Sequence, residues 1–265
     1  MPAEPPSPGG RLLVEEDGTA LILRISNPGR ANALDEAILD ALASLLHAPP
    51  PAARAVLLGG DGDRHFSAGL DLGGADGDPV GRIRAGERRL GAAVAAIADC
   101  PVPVIGVMNG AAAGGALELA IACDWRIAAA GARLAMPATR FGVVYTADGL
   151  RRFVAAMGPS RTRRMFLTGA PIGADEALAI GLVDQVVEPP GLWAAALEAA
   201  GEVAAGAPLA VAGTRAVVRA LSDGSPPADV EETARRWRER AYASDDVHEG
   251  QAAYRERRPP EFTGR

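Results

Sequence analysis

The runs Ala55-Val-Leu-Leu58 and residues 102–108 (VPVIGVM) carry no polar residue, and glycine or proline bounds each of them. Strands without a polar face are buried on both sides, so their sheet must carry packed elements on both faces. The rest of the chain is written to match. Residues 11–16 and 20–25 flank Asp17-Gly18 and predict a hairpin. Asn32 is placed to cap a helix with Asp35 and Glu36 in its first turn and a stripe of Leu34, Ile38, Leu42, Leu45 and Leu46. A connection rich in Gly and Asp, residues 59–81, leads to a helix over about residues 83–98, and a connection of that length usually carries function. Asn109 to Gly115 opens an alanine-rich helix, and residues 125–129 and 132–136 predict two more strands.

From residue 149 onward the pattern is helical, over about 159–167, 174–180, 192–204, 209–221 and 230–243. Strands joined by helices, followed by helices alone, predict an α/β core with a C-terminal helical subdomain. We place the core at residues 11–195 and the subdomain at 196–265. Residues 1–10, rich in Pro and Gly, read as a flexible tail. At 265 residues the chain is long enough for one sizeable core and a smaller appendage.

Composition narrows the chemistry. A net charge of −6 argues against nucleic acid as a partner, because phosphate contacts need a basic face. No apolar run approaches the roughly 20 residues of a membrane span, and no signal peptide opens the chain, so a cytoplasmic protein without a membrane partner is expected. Cys100 and Cys123 sit in apolar surroundings and predict buried free thiols. All 27 basic residues are arginine. Without lysine, a lysine Schiff base, pyridoxal phosphate attachment and a P-loop lysine are excluded. His47, His65 and His248 are far apart with no metal-ligand spacing, so no metal is expected. Ser67 lacks a GxSxG elbow, which argues against a serine hydrolase.

The most informative stretch is Asn109-Gly-Ala-Ala-Ala-Gly114-Gly115-Ala-Leu-Glu118, directly after a buried strand. Its glycines let a ligand approach the backbone, and the unpaired N–H groups and dipole of a helix start suit an oxyanion. Glu118 follows Gly115 by almost one helical turn. Small residues would equally serve tight helix packing. A second turn, Phe66-Ser-Ala68-Gly69-Leu70-Asp71-Leu72, could bring the Leu70 N–H to the same place. Two convergent N–H groups are what a thioester carbonyl needs as it gains negative charge, one such donor being worth roughly 3–4 kcal/mol in the transition state.

These two segments resemble the paired oxyanion-hole motifs of the crotonase (enoyl-CoA hydratase/isomerase) superfamily. Arg30-Ala-Asn32-Ala-Leu34, Ser244-Asp-Asp and Arg257-Arg-Pro-Pro-Glu-Phe262 are similar to other family segments, in the same order along the chain. The resemblance implies a spiral of ββα repeats with C-terminal trimerisation helices, assembled as a homotrimer or a hexamer. It implies an acyl-CoA substrate that brings its own coenzyme A, no separate cofactor, and a setting in fatty acid metabolism. Leu70 and Gly115 would supply the oxyanion N–H groups and Glu118 the catalytic carboxylate. Ala68, Gly69, Leu70, Asp71, Gly114 and Arg30 would line the coenzyme A site.

The match departs from the hydratase pattern where a second glutamate follows the Pro of a strand-end segment: Pro137 is followed here by Ala138. Tyr145 is similar to a tyrosine of the methylmalonyl-CoA decarboxylase branch, and Asp148 is a candidate displaced acid or a helix cap. Enoyl-CoA hydratase/isomerase chemistry is therefore the first expectation. A malonyl-type decarboxylase and a non-catalytic acyl-CoA-binding scaffold are the alternatives.

Overall fold

A computed structural model describes residues 9–73 and 78–265. Two sheets are built in alternation. The larger has six strands in the order β1 (Arg11–Asp17), β2 (Ala20–Ser26), β3 (Ala55–Gly60), β5 (Val104–Met108), β7 (Trp125–Ala129) and β10 (Gln185–Val187). The smaller has four: β4 (His65–Ser67), β6 (Ala111–Ala113), β8 (Arg133–Ala135) and β9 (Ile172–Gly173). The β1–β2 hairpin is antiparallel, and from β2 to β10 the large sheet is parallel. Each pass sends a long strand into the first sheet, a short one into the second, and then a helix across: β3–β4–α2 (Pro79–Asp99), β5–β6–α3 (Gly115–Ala122), β7–β8–α4 (Ala147–Thr168). This is the expected ββα spiral.

The apolar strands do what their composition requires. Leu21, Leu23, Ile25, Val56, Leu58, Val104 and Met108 face α1 (Glu36–His47), α2 and α3. Ile22, Leu57, Ile105, Val107 and Ile127 face the other way, against Leu192, Ala196 and Ala200 of α6 (Leu192–Ala204). Each such Leu or Ile contributes roughly 1.5–3 kcal/mol by leaving water. Because α6 closes that face, a division after residue 195 falls inside a helix of the core; the outlying helices begin with α7 (Pro208–Ser222). With α8 (Pro227–Tyr242), α7 forms a pair in which only Gly213 is buried. Helices α5 (Ala174–Ala179) and α9 (Asp245–Glu256) complete the order.

Three local expectations are corrected. Asp35, not Asn32, caps α1, its carboxylate accepting from Ile38 N. Asn32 is instead a buried pin with φ 57°, its amide donating to the carbonyls of Asp61 and His65. Within residues 109–115, Ala111–Ala113 form a short strand before the helix starts at Gly115, with Asn109 tying Gly60, Gly62 and His65 across repeats. Of the expected tail, residues 1–8 lie outside the described residues, while Gly10 is buried and its N–H donates to Asp35 at 2.6 Å. Cys100 and Cys123 are buried free thiols. Among the described residues no single helix is long and apolar enough to cross a membrane.

Candidate active site

The two glycine-bearing turns meet. An isolated parallel bridge joins Leu34 to Leu70, with Leu34 N–H donating to Gly69 O and Asp71 N–H to Leu34 O. That pattern leaves the Leu70 N–H on the opposite side. Gly69 has φ 93°, and a Cβ built there would stand 2.5 Å from Ala113 O and 3.3 Å from Gly115 N. Only glycine permits both the conformation and the approach. The first N–H of α3, that of Gly115, thus lies beside the Gly69-Leu70 peptide. Among the described residues neither the Leu70 nor the Gly115 N–H has a hydrogen-bond acceptor. Gly114, at φ 55°, makes the turn that starts α3.

These N–H groups border a cavity of about 330 Å³ whose walls include Ala68, Gly69, Leu70, Gly114, Gly115, Glu118, Ala138, Tyr145 and Asp148. Helix α3 is buried along almost its whole length, and Glu118 is its one ionisable side chain, 8% exposed. Its carboxylate lies against the first turn of α4, where a Cβ on Gly149 would be 2.9 Å from Oε1. Burial raises the Glu118 pKa from 4.5 to about 7; Arg152 opposes the rise, and Asp148 and Glu87 add to it. Glu118 therefore sits near neutrality as donor or acceptor of a proton.

The tyrosine hydroxyl faces the same space. A Cβ on Gly114 would be 3.7 Å from Tyr145 Oη, and the ring packs edge-on against Phe166 at 5.3 Å. Burial, then the charges of Glu118 and Glu87, push its pKa up, so it stays a neutral donor. Asp148 has a different environment. Thr146, not Asp148, caps α4, accepting from Gly149 N. Asp148 pairs with Arg151 at 2.7 Å and Arg152 at 2.6 Å, and the Arg151 hydrogen bond heads the causes that lower its pKa. It is an anion that steadies Arg152 rather than a proton donor.

Arg30, exposed at the surface, and Asp71 bind each other at 2.5 Å, and neither is part of the cavity wall. The position after Pro137 is a buried alanine on the wall, so no carboxylate enters there. Sequence reasoning missed Glu87 and Arg152, both on the wall. Glu87 had a signal: α2 lines the cavity with Ile83, Leu90, Gly91 and Val94, a helical stripe that carries one carboxylate. Among the described residues no three His, Cys, Asp or Glu side chains are grouped to hold a metal ion.

The family model described as enoyl-CoA hydratase/isomerase matches residues 15–265. A carnitinyl-CoA dehydratase of Proteus mirabilis is 33% identical over 259 residues, covering 94% of this chain and 96% of that protein. One from Salmonella arizonae is 34% identical over 262 residues, covering 96% and 98%. Among solved structures, an enoyl-CoA hydratase from Bacillus anthracis superposes with a TM-score of 0.90 at 29% identity, covering 96% of this chain and 99% of that one. Pseudomonas aeruginosa DspI gives 0.88 at 34% identity, covering 95% and 96%.

Proposed function

The chain belongs to the enoyl-CoA hydratase/isomerase family, and from that premise we propose that its cavity holds a coenzyme A thioester while Glu118 moves a proton at the α-carbon. It is an acyl-CoA-acting enzyme of hydratase/isomerase type. One observation carries the finer reading: two N–H groups without an acceptor among the described residues converge beside a carboxylate whose pKa is raised by burial to about 7. The thioester oxygen accepts from Leu70 and Gly115 N–H, which stabilise the enolate as charge leaves the α-carbon. Ala68, Gly69, Asp71, Gly114 and Arg30 frame the coenzyme A side, and the substrate brings coenzyme A with it, no separate cofactor being needed. Tyr145, a neutral donor, orients the acyl group.

A second reading, decarboxylation of a malonyl-type thioester, is favoured by Tyr145 Oη beside Gly114 and by Ala138 on the wall. The same N–H pair would stabilise that enolate. The reading extends to a cytoplasmic enzyme of fatty acid metabolism working as a trimer or hexamer. The barely buried α7–α8 pair supports assembly, with Val218, Leu221 and Tyr242 more than half exposed.

The test is mass spectrometry of 2-enoyl, 3-enoyl and malonyl-type thioesters incubated with the protein in deuterated water. Gain of water or double-bond migration with deuterium uptake supports the first reading, and loss of carbon dioxide the second. Every thioester bound by calorimetry yet returned unchanged would leave a binding scaffold.

A further inference from the structure

The hydration of a 2-enoyl thioester needs one group to take a proton from water and another to deliver a proton to the α-carbon. With Ala138 after Pro137, α3 and α4 bring Glu118 and the arginine-paired Asp148 to the cavity, and α2 brings a further carboxylate. Helix α2 presents Ile83, Glu87, Leu90, Gly91, Val94 and Ala95 to the cavity, and Glu87 is the one ionisable group among them. The turn that holds it packs on the oxyanion donors. A Cβ on Gly86 would be 3.3 Å from Leu70 Cδ1, and a Cβ on Gly115 would be 2.9 Å from Leu90 Cδ2. Glu87 lies between these two contacts, half-buried, and among the described residues no hydrogen bond or ion pair holds its carboxylate. Its charge is felt at both Glu118 and Tyr145. The other charged groups facing Glu118 are Arg152 and Asp148 of α4, and these two are bonded to each other.

We propose that Glu87 is the second catalytic carboxylate of this enzyme, supplied from α2 in place of the one absent at residue 138. The assignment rests on the hydratase reading above. The Glu87 carboxylate takes a proton from water as the water oxygen bonds to C3. The C2=C3 electron pair moves toward the thioester oxygen, held by Leu70 and Gly115 N–H. Glu118, protonated, then gives its proton to C2. Water has been added, Glu87 ends protonated and Glu118 ionised, and exchange of one proton between them through solvent restores the start. Dehydration runs the same steps backward.

Glu87→Gln separates this role from the rest. In deuterated water its hydration of a 2-enoyl thioester should fall about a hundredfold or more, the size expected for one lost proton-transfer group. Double-bond migration in a 3-enoyl thioester, which needs Glu118 and the N–H pair alone, should stay within about threefold of the unsubstituted enzyme. Adding Ala138→Glu to Glu87→Gln should restore much of the hydration. Hydration that survives Glu87→Gln overturns the assignment. So does equal loss of both reactions, which would make Glu87 a support of the oxyanion turn. If the unsubstituted enzyme hydrates no thioester, the hydratase reading itself has failed, an outcome recognisable without any variant.

Discussion

Glu118 and Asp148 are carboxylates on one cavity wall, and their surroundings drive them in opposite directions. Glu118 stands on α3, where burial dominates and its pKa climbs to about 7. Asp148 stands in the first turn of α4, largely exposed and held by two arginines, and its pKa falls. The group starved of water becomes the proton carrier, and the solvated, paired one becomes a fixed charge. Position relative to the core, rather than residue type, assigns the roles.

The largest test of this contrast is Glu118→Gln. Turnover of every accepted thioester should drop by roughly 10²- to 10⁴-fold while calorimetric binding of the thioester stays within a few-fold. Unchanged turnover would remove Glu118 from the chemistry.

The second test is stability. The folded pKa of Glu118 lies above its unfolded value, so the stability of the protonated buried acid is fully present below about 4.5 and is lost as pH rises through about 7. The difference corresponds to about 3 kcal/mol. Glutamine does not titrate, so Glu118→Gln should gain stability over the parent between pH 5 and pH 8, by about 2–3 kcal/mol in denaturant melts. An advantage that does not change with pH would mean that Glu118 titrates as an ordinary surface glutamate.

The smallest effect belongs to Asp148→Asn. It removes a charge that raises the Glu118 pKa and frees Arg152, which lowers it. Both changes move the pH-rate limb that reports Glu118 to below pH 7, and turnover should change by less than about tenfold. A limb that stays in place would show that Asp148 does not tune Glu118. A loss as large as that of Glu118→Gln would return Asp148 to the role of acid.

Much of the fold was legible because burial on both faces leaves a mark no other strand has. Residues 55–58 and 102–108 identify the sheet, and the Asp17-Gly18 turn identifies its hairpin edge. The short strands β4, β6, β9 and β10, of two or three residues each, were not legible, since so few positions show no period. The first half of α4, residues 147–157, was missed too; Gly158, at φ 79°, and Pro159 interrupt a helix that continues on both sides. Asn32 looked like a cap because asparagine suits both a cap and a left-handed pin, and only its distant partners decide between them.

By itself the sequence determined that a doubly covered sheet carries two glycine turns and a glutamate one turn beyond the second. Those features are local, set by side-chain size, backbone freedom and helical spacing. Tertiary structure decided that the Leu70 and Gly115 N–H groups converge, that Glu118 lies in dry surroundings, and that Glu87 reaches the same cavity from α2. Approach distance and desolvation depend on segments dozens of residues apart, and no spacing along the chain encodes them.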